Sequence, residues 1–110
     1  MTTIITESGW TTKEIEISQQ ILNKAYQRET ETLVAQVQHQ INNMTDIAQL
    51  WQVHDLLSAK RYDLDGKYDA RESMLIFTFA QLLKEGWISL EELHGLDQAK
   101  LAKVSSLSKI

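Results

Sequence analysis

The segment from Trp51 to Arg71 holds the densest group of side chains in the chain that could perform chemistry or bind a ligand. His54, Asp55 and Ser58 are the residue types of a hydrolytic triad, in which a carboxylate orients the histidine that deprotonates a serine. On a helix, His54 and Ser58 share a face, whereas Asp55 lies about 100° away from His54. We therefore expect no triad and no catalytic residue, and the chain also lacks a G-x-S-x-G motif.

The same segment fits part of a twelve-residue calcium-binding loop of the EF-hand type. If the loop begins at Arg61, acidic residues and a glycine fall at positions 3, 5, 6, 9 and 12, namely Asp63, Asp65, Gly66, Asp69 and Glu72. Position 1 is then a cation where the metal requires a carboxylate oxygen. A degenerate EF-hand-like, calcium-responsive helical binding protein is therefore the alternative function. His39, His54 and His94 form no H-x-x-x-H or HExxH motif, so we expect no zinc site.

Composition excludes several other classes of protein. The 110 residues suit one domain, and with no cysteine there can be no disulfide or thiolate ligand. Fifteen acidic residues outnumber 11 basic ones, which argues against a nucleic-acid partner because phosphate binding requires clustered Lys and Arg. Residues 1–10 lack the pattern of a signal peptide, and the longest apolar run, Met74 to Ala80, is too short to span a bilayer. We expect a cytoplasmic protein without an integral membrane segment.

The elements that carry these residues are predicted to be helices. Thr11 and Glu14 have the spacing of a capping box, so the first helix should begin near Thr12. Apolar residues then recur at helical intervals as far as the Asn42-Asn43 pair, among them Leu33, Val37 and Ile41. About 30 residues make a rod of roughly 45 Å, which one small domain cannot cover. We therefore predict a homodimer; the alternative is a kink at residues 27–32 that folds the helix back into a monomeric bundle.

The second helix should open at Thr45 or Asp46 and end near Asp65. Its core face is predicted from one apolar stripe, Leu50, Val53, Leu57 and Leu64. A second stripe about 120° away holds Trp51, Asp55, Ser58 and Tyr62, with His54 and Arg61 between the two stripes. This second stripe is either solvated helix surface with Trp51 capping the bundle, or a binding patch, since Trp, Tyr and Arg dominate interface hot spots. A dimer contact and a contact with another partner stay equally open.

The remaining residues predict three further helical elements. Gly66 is expected at a turn or hinge, followed by a third helix over about 69–85 in which Phe77 and Phe79 face different neighbours. Gly86 should end that helix, Ser89 and Glu92 should cap a short fourth helix, and Asp97 should cap a basic last helix.

Taken together, the residues of the central segment resemble the cyanobacterial fluorescence recovery protein family. The resemblance covers about residues 10–107 and is densest from Leu50 to Trp87. It is carried by Trp51, His54-Asp55, Leu57-Ser58-Ala59-Lys60-Arg61, Asp65-Gly66-Lys67-Tyr68-Asp69, Arg71, Ile76-Phe77, Phe79-Ala80 and Lys84-Glu85-Gly86-Trp87. Tyr62 stands where members of the family often carry His.

The resemblance implies an all-α homodimer without enzyme activity or cofactor. The first two helices would form a dimerising stalk over about residues 12–65, and residues 66–110 would form a small helical head. Such a protein would bind the photoactivated orange carotenoid protein, mainly its C-terminal domain, and speed its return to the resting form, which ends quenching of the phycobilisome. The implied partner-binding residues are Trp51, His54, Asp55 and Arg61, with Phe77 and Lys103 in the head. The expected dimer contacts are Leu33, Val37, Ile41, Leu50 and Trp51. A cytoplasmic location is expected, with the cytoplasmic face of the thylakoid membrane as a place of association.

Overall fold

The computed structural model describes residues 9–110, which form four α-helices, one 3-10 turn and no strand. The elements are α1 (Thr12–Asn42), α2 (Ile47–Lys67), α3 (Leu75–Glu85), the 3-10 turn Leu90–Leu93, and α4 (Gln98–Ser108). The predicted all-α fold is confirmed. The expectation of no signal peptide rests mainly on residues 1–8, which lie outside the described residues. None of the helices formed by residues 9–110 has the length and apolarity required to cross a membrane.

The first helix begins where the capping box predicts. The Thr11 Oγ1 accepts a hydrogen bond from the Glu14 amide at 3.0 Å, and the Thr11 amide donates to Glu14 Oε1 at 3.0 Å. Helix α1 then runs unbroken for 31 residues, so the predicted alternative of a kink at residues 27–32 is wrong. Two threonines in that polar stretch bond within the helix: the Thr30 and Thr32 hydroxyls donate to carbonyls four residues earlier, at 2.8 and 2.9 Å.

The hydrophobic core lies at one end of the molecule, which we call the head; it includes the first half of α1 and is therefore larger than the segment 66–110 that the resemblance implies. The first half of α1 supplies Ile21, Leu22 and Ala25 to it, and Trp10 packs beside them. The other buried members come from α3, the 3-10 turn, α4 and their connections: Leu75, Phe79, Ala80, Leu82, Ile88, Leu93, Leu96 and Val104. Among the described residues, none from α2 belongs to this core. The second half of α1 and α2 form an antiparallel pair, the stalk, in a molecule that measures 60 × 25 × 19 Å.

The stalk confirms only half of the predicted core face of α2. Val53 and Leu64 are buried, but Leu50 and Leu57 are about 40% exposed. The physical reason is that α1 covers only one side of this part of α2, which leaves Leu50 and Leu57 largely in solvent. Helix α2 begins after Asp46, whose carboxylate accepts a hydrogen bond from the Gln49 amide at 3.0 Å.

The boundaries between α2 and α3 differ from the predicted ones. Helix α2 continues through Gly66 to Lys67, and Gly66 does not adopt a positive φ, so the predicted turn at Gly66 is wrong. Helix α3 begins at Leu75 and not near residue 69, because the Asp69 carboxylate bonds the Arg71 amide at 3.1 Å and thereby holds a turn. The Thr78 hydroxyl then donates to the Asp69 carbonyl at 2.9 Å and fixes the connection against α3.

The later helix boundaries agree with those predicted from the sequence. Gly86 has φ 85° and ends α3 in the left-handed conformation that favours glycine, while the Trp87 amide bonds the Leu82 carbonyl at 3.0 Å. The Ser89 amide donates to Glu92 Oε1 at 3.0 Å at the start of the 3-10 turn. The Asp97 carboxylate caps α4 by accepting from the Lys100 amide at 2.9 Å.

A buried carboxylate joins the start of α1 to the start of α4. Glu14 Oε1 accepts from the Lys100 ammonium at 2.9 Å, and Glu14 Oε2 accepts from the Asp97 amide at 3.0 Å. The same ammonium donates to the Gly9 carbonyl at 2.9 Å and lies 4.8 Å from the centre of the Trp10 ring. Burial alone would raise the pKa of the Glu14 carboxyl, but two backbone amides and the ammonium outweigh it and hold that pKa below its ordinary value.

Candidate functional site

Four of the six predicted partner-binding residues lie together on the exposed side of α2. We call Trp51, His54, Asp55 and Arg61 the α2 patch. Trp51 is 58% exposed, an unusual amount for the largest apolar side chain, and the His54 ring meets it edge-on with 6.4 Å between ring centres. The other three residues are also exposed. The predicted bundle-capping role of Trp51 is therefore absent from the single chain.

His54 and Asp55 contact each other, contrary to the expectation from helix geometry. Their nearest atoms, His54 Nδ1 and Asp55 Oδ1, are 3.3 Å apart. The 100° between neighbouring positions is bridged because both side chains are free to bend toward each other in solvent. Within residues 9–110, the Ser58 hydroxyl forms no hydrogen bond to the His54 ring, so the pair lacks the serine contact that a triad requires.

Two shallow grooves connect the α2 patch with α3. The first runs along α2 and is lined by His54, Leu57, Ser58, Arg61, Tyr62 and Asp65. The second lies between the last turns of α2 and the first turns of α3, and its lining includes Tyr62, Asp63, Met74 and Phe77. Tyr62 stands between the two grooves and is 86% exposed. Sequence reasoning placed Tyr62 on the polar stripe but did not identify it as the link between α2 and α3.

Phe77 and Lys103 differ in their relation to the α2 patch. Phe77 is 55% exposed and joins the patch through the second groove, whereas Phe79 is fully buried in the head core. The predicted opposite orientation of the two phenylalanines is therefore confirmed. Lys103 is exposed on α4 and lines neither groove.

The segment that the calcium alternative requires as a loop is largely helical. Residues 61–67 are helical, so the first seven of the twelve loop positions cannot wrap around an ion. Asp63 and Asp69 instead form ion pairs with Lys67 and Arg71, at 3.5 and 2.6 Å. Within residues 9–110, no three His, Asp or Glu side chains come together in a way that could hold a metal ion. The calcium-responsive alternative is wrong for this fold.

A buried charge cluster at Lys67 joins three helices, and sequence reasoning missed it. The Lys67 ammonium donates to Glu29 Oε2 of α1 at 2.6 Å and to Glu85 Oε1 of α3 at 2.7 Å. The Tyr68 hydroxyl donates to the other Glu29 oxygen at 2.7 Å. The Lys67 and Glu29 side chains are each only 6% exposed. The sequence indicates only the pair of Asp63 and Lys67, which are four residues apart on one helix. Glu29 is 38 residues away from Lys67, so no local pattern connects them.

The Lys67 cluster keeps its charges through hydrogen bonding. Burial would lower the pKa of the Lys67 ammonium, but its bonds to Glu29 and Glu85 raise that pKa above its ordinary value. Burial would likewise raise the pKa of Glu85, and the ammonium lowers it. Burial and the Glu29 carboxylate both raise the pKa of the Tyr68 hydroxyl, so Tyr68 acts as a donor.

A second ion pair ties α1 to the 3-10 turn. Arg28 and Glu92 form a two-point pair with nitrogen to oxygen distances of 2.9 and 2.8 Å, and Arg28 also donates to the Trp87 carbonyl at 2.9 Å. The Arg28 guanidinium lowers the pKa of the Glu92 carboxyl to about 2.

The predicted dimer residues lie on the stalk, where the single chain leaves an apolar surface uncovered. Leu33 and Val37 are half-buried, while Ile41, Leu50 and Trp51 are exposed. Sequence reasoning omitted two exposed residues of the same surface, Val34 and Ile47, which are more than half exposed. Several large apolar side chains exposed on one pair of helices are typical of an interface with another protein.

The chain is similar to known proteins in both its sequence and its fold. Residues 10–108 match the family model described as photoprotection regulator fluorescence recovery protein. The chain is 47% identical to the fluorescence recovery protein of Synechocystis sp. over 104 residues, which cover 94% of this chain and 95% of that protein.

Two solved structures carry the same name. The fluorescence recovery protein of Synechocystis sp. PCC 6803 superposes with a TM-score of 0.89 at 48% identity. That of Fremyella diplosiphon superposes with a TM-score of 0.88 at 44% identity. Each match covers 92% of this chain and 99% of the solved chain.

Proposed function

The chain belongs to the fluorescence recovery protein family of photoprotection regulators, and from this membership we propose that it binds the photoactivated orange carotenoid protein. The contact is mainly with the C-terminal domain of that partner. Binding accelerates the return of the partner to its resting orange form, and quenching of phycobilisome fluorescence then ends. The chain itself contributes no catalytic residue and requires no cofactor for this task.

The α2 patch is the observation that supports this proposal best. It presents Trp51 and Arg61, two of the residue types that dominate binding energy at protein interfaces, on one exposed helix face. Asp55, next to His54, adds a negative charge opposite to that of Arg61, and the two charges help to fix the orientation of a partner. Phe77 extends the apolar part of the surface toward the head, and Lys103 is a separate contact on α4.

Binding energy can be converted into a faster colour change without any covalent chemistry. The partner returns from its activated to its resting conformation over a free-energy barrier. A surface that binds the barrier conformation more tightly than the activated conformation lowers the barrier, and each 1.36 kcal/mol of that difference gives about a tenfold rate increase. Trp51 supplies the apolar contact area in this mechanism, and Arg61 and Asp55 fix the orientation.

We further propose that the working form is a homodimer joined through the stalk. The exposed apolar surface around Ile41, Leu50 and Trp51 is the supporting observation, because a single chain leaves it in water. A second copy can cover it by packing the same surface around a two-fold axis. The dimer works in the cytoplasm, where the cytoplasmic face of the thylakoid membrane is its place of association.

The function is tested by following the colour of the partner. Purified orange carotenoid protein is illuminated until it is red, and its absorbance is then recorded in the dark with and without this chain. We expect substoichiometric amounts of the chain to accelerate the return to orange, since a regulator that lowers a barrier is released and acts again. An unchanged recovery rate over a full titration would show that the proposed function is wrong.

A further inference from the structure

The groove between α2 and α3 combines aromatic walls with an exposed carboxylate. Tyr62 and Phe77, both largely exposed, line it together with Met74. Asp63 lines the same groove, and its side chain is 54% exposed. An arrangement of this kind offers an ion pair and aromatic faces to one ligand group.

The cation next to Asp63 is already engaged by other carboxylates. The Lys67 ammonium lies 2.6 Å from Glu29 and 2.7 Å from Glu85, but 3.5 Å from Asp63. Three carboxylates thus face one ammonium, and two negative charges are left without compensation inside the cluster. Because Glu29 and Glu85 hold the ammonium more closely, much of the uncompensated charge faces solvent at Asp63.

A second cation near the groove is also engaged, and Arg61 lines the neighbouring groove. Arg71 forms a 2.6 Å ion pair with Asp69, another residue of the groove lining. The groove lining therefore combines negative charge with two aromatic side chains, and its charge complement is a cation.

We propose that this groove receives an Arg or Lys side chain of the protein partner, with Asp63 as its ion-pair acceptor and Tyr62 and Phe77 as the aromatic surfaces that flank it. Arg suits the groove better than Lys, because a planar guanidinium can stack on an aromatic ring while its edge bonds a carboxylate. The inference rests on the proposed function, since it specifies chemistry for the partner already named. It gives Asp63 and Tyr62 roles in partner recognition.

The role is tested with Asp63→Asn, which keeps the size of the side chain and removes its charge. Affinity for the photoactivated orange carotenoid protein is measured at low and at high salt. We expect binding about three- to tenfold weaker than wild type at low salt, a difference that shrinks at high salt because ions screen the exposed pair. Asp63→Lys should weaken binding further, since it places two cations together.

Two control variants distinguish the effect of the Asp63 charge on affinity from the effect of apolar contact. Glu91→Gln removes an exposed charge of the same sign from the 3-10 turn, outside the groove, and should leave affinity unchanged. Phe77→Ala should weaken binding equally at both salt concentrations, because it removes apolar contact and no charge. Circular dichroism of each variant verifies that the helices are intact.

The outcomes distinguish the inference from the function on which it rests. If the wild-type chain binds and accelerates recovery but Asp63→Asn behaves like Glu91→Gln, the groove does not bind a cation of the partner and the inference alone is wrong. If the wild-type chain neither binds nor accelerates recovery, the proposed function is wrong and the inference falls with it. A weakened Asp63→Asn variant whose defect is the same at all salt concentrations also overturns the ion pair.

Discussion

The polar and charged side chains described above fall into a buried group and an exposed group. Glu29 and Lys67 are nearly excluded from water and satisfied by partners on other helices. His54, Asp55 and Arg61 are exposed, and within residues 9–110 none of the three forms an ion pair with another helix. Substitutions in the first group should therefore change stability, and substitutions in the second group should change binding.

Glu92 should make the protein sensitive to acid. Its pKa is lowered from 4.5 to about 2 by Arg28, so its contribution to the free energy of unfolding is complete above about pH 4.5 and is lost as pH falls toward 2. We expect Glu92→Gln to lower the free energy of unfolding at pH 7 by about 1–2 kcal/mol and to reduce its loss between pH 4.5 and 2. Urea denaturation over a pH series measures both effects.

Glu91→Gln is the matched control for Glu92→Gln, because Glu91 is the adjacent, exposed carboxylate of the same turn. It should leave the pH dependence as in wild type. Equal pH curves for Glu92→Gln and wild type would contradict the stabilising role of the pair with Arg28.

Arg61 is the residue of the α2 patch to change first. Because it is exposed, Arg61→Ala should alter the free energy of unfolding by no more than about 0.5 kcal/mol. Loss of a hot-spot arginine should weaken partner binding by about tenfold or more. Lys24→Ala, which removes an exposed cation from α1, is the control and should retain full activity in the dark-recovery assay. Equal activity of the two variants would remove Arg61 from the binding surface.

At the scale of single elements, local signals predicted the helix starts better than the helix connections. The caps at Thr11, Asp46 and Asp97 involve residues three positions apart, so the sequence alone reveals them. The start of α3 depends on the Asp69 turn and its contact with Thr78, which no helical pattern contains. The Lys67 cluster was missed for the same reason, since its partners are distant in the chain.

Lys67→Met tests whether the charge cluster holds α1, α2 and α3 together. The variant keeps the length of the side chain but leaves the Glu29 carboxylate buried beside another carboxylate without a cation. Removing one partner of a buried ion pair typically costs several kcal/mol, so we expect the free energy of unfolding to fall by about 3 kcal/mol. Chemical denaturation measures it, with Lys24→Met as the control at an exposed site.

The double variant Lys67→Met with Glu29→Gln should recover part of the stability lost by Lys67→Met, because it removes the buried charge left without a cation. If the single and double variants are equally unstable, the loss comes from packing and the electrostatic explanation is wrong.

Gly66→Ala tests whether α2 bends near its end. Gly66 is helical, and a methyl group added there would meet no atom within 4 Å apart from the neighbouring backbone of its own helix. We therefore expect unchanged helicity and a gain of about 0.5–1 kcal/mol in the free energy of unfolding, since alanine restricts the unfolded chain. Circular dichroism and thermal unfolding measure these effects. A loss of helicity or of self-association would instead favour the hinge that the sequence suggested.

At the scale of the whole molecule, the head and the stalk differ in how they bury apolar side chains. The head surrounds its own core, and the sequence predicted it through strong apolar patterns in α3. In the stalk the helical period was predicted correctly, but periodicity does not reveal which apolar side chains one chain leaves exposed. Leu50 and Leu57 thus matched the expected core face and yet lie largely in solvent.

Ile41→Glu tests the proposed dimer. Ile41 is 49% exposed, so the substitution should cost a single folded chain little, whereas a stalk dimer would have to bury a charge. We expect the molar mass from light scattering to fall from that of two chains to that of one at micromolar concentration. Ala35→Glu is the control, since Ala35 is exposed about 160° around α1 from Val37. A monomeric wild type, or an unchanged mass for Ile41→Glu, would contradict this interface.

The contact of Glu14 with the start of α4 also determines the order in which the chain can fold during synthesis. Glu14 and Asp97 are 83 residues apart, so at about 5–20 residues per second a ribosome adds Asp97 roughly 4–17 s after Glu14. The ribosome has synthesised both stalk helices once it has added Lys67, well before it adds the first residue of α4. The stalk helices, with their uncovered apolar surface, are therefore synthesised before the contact that completes the head can form.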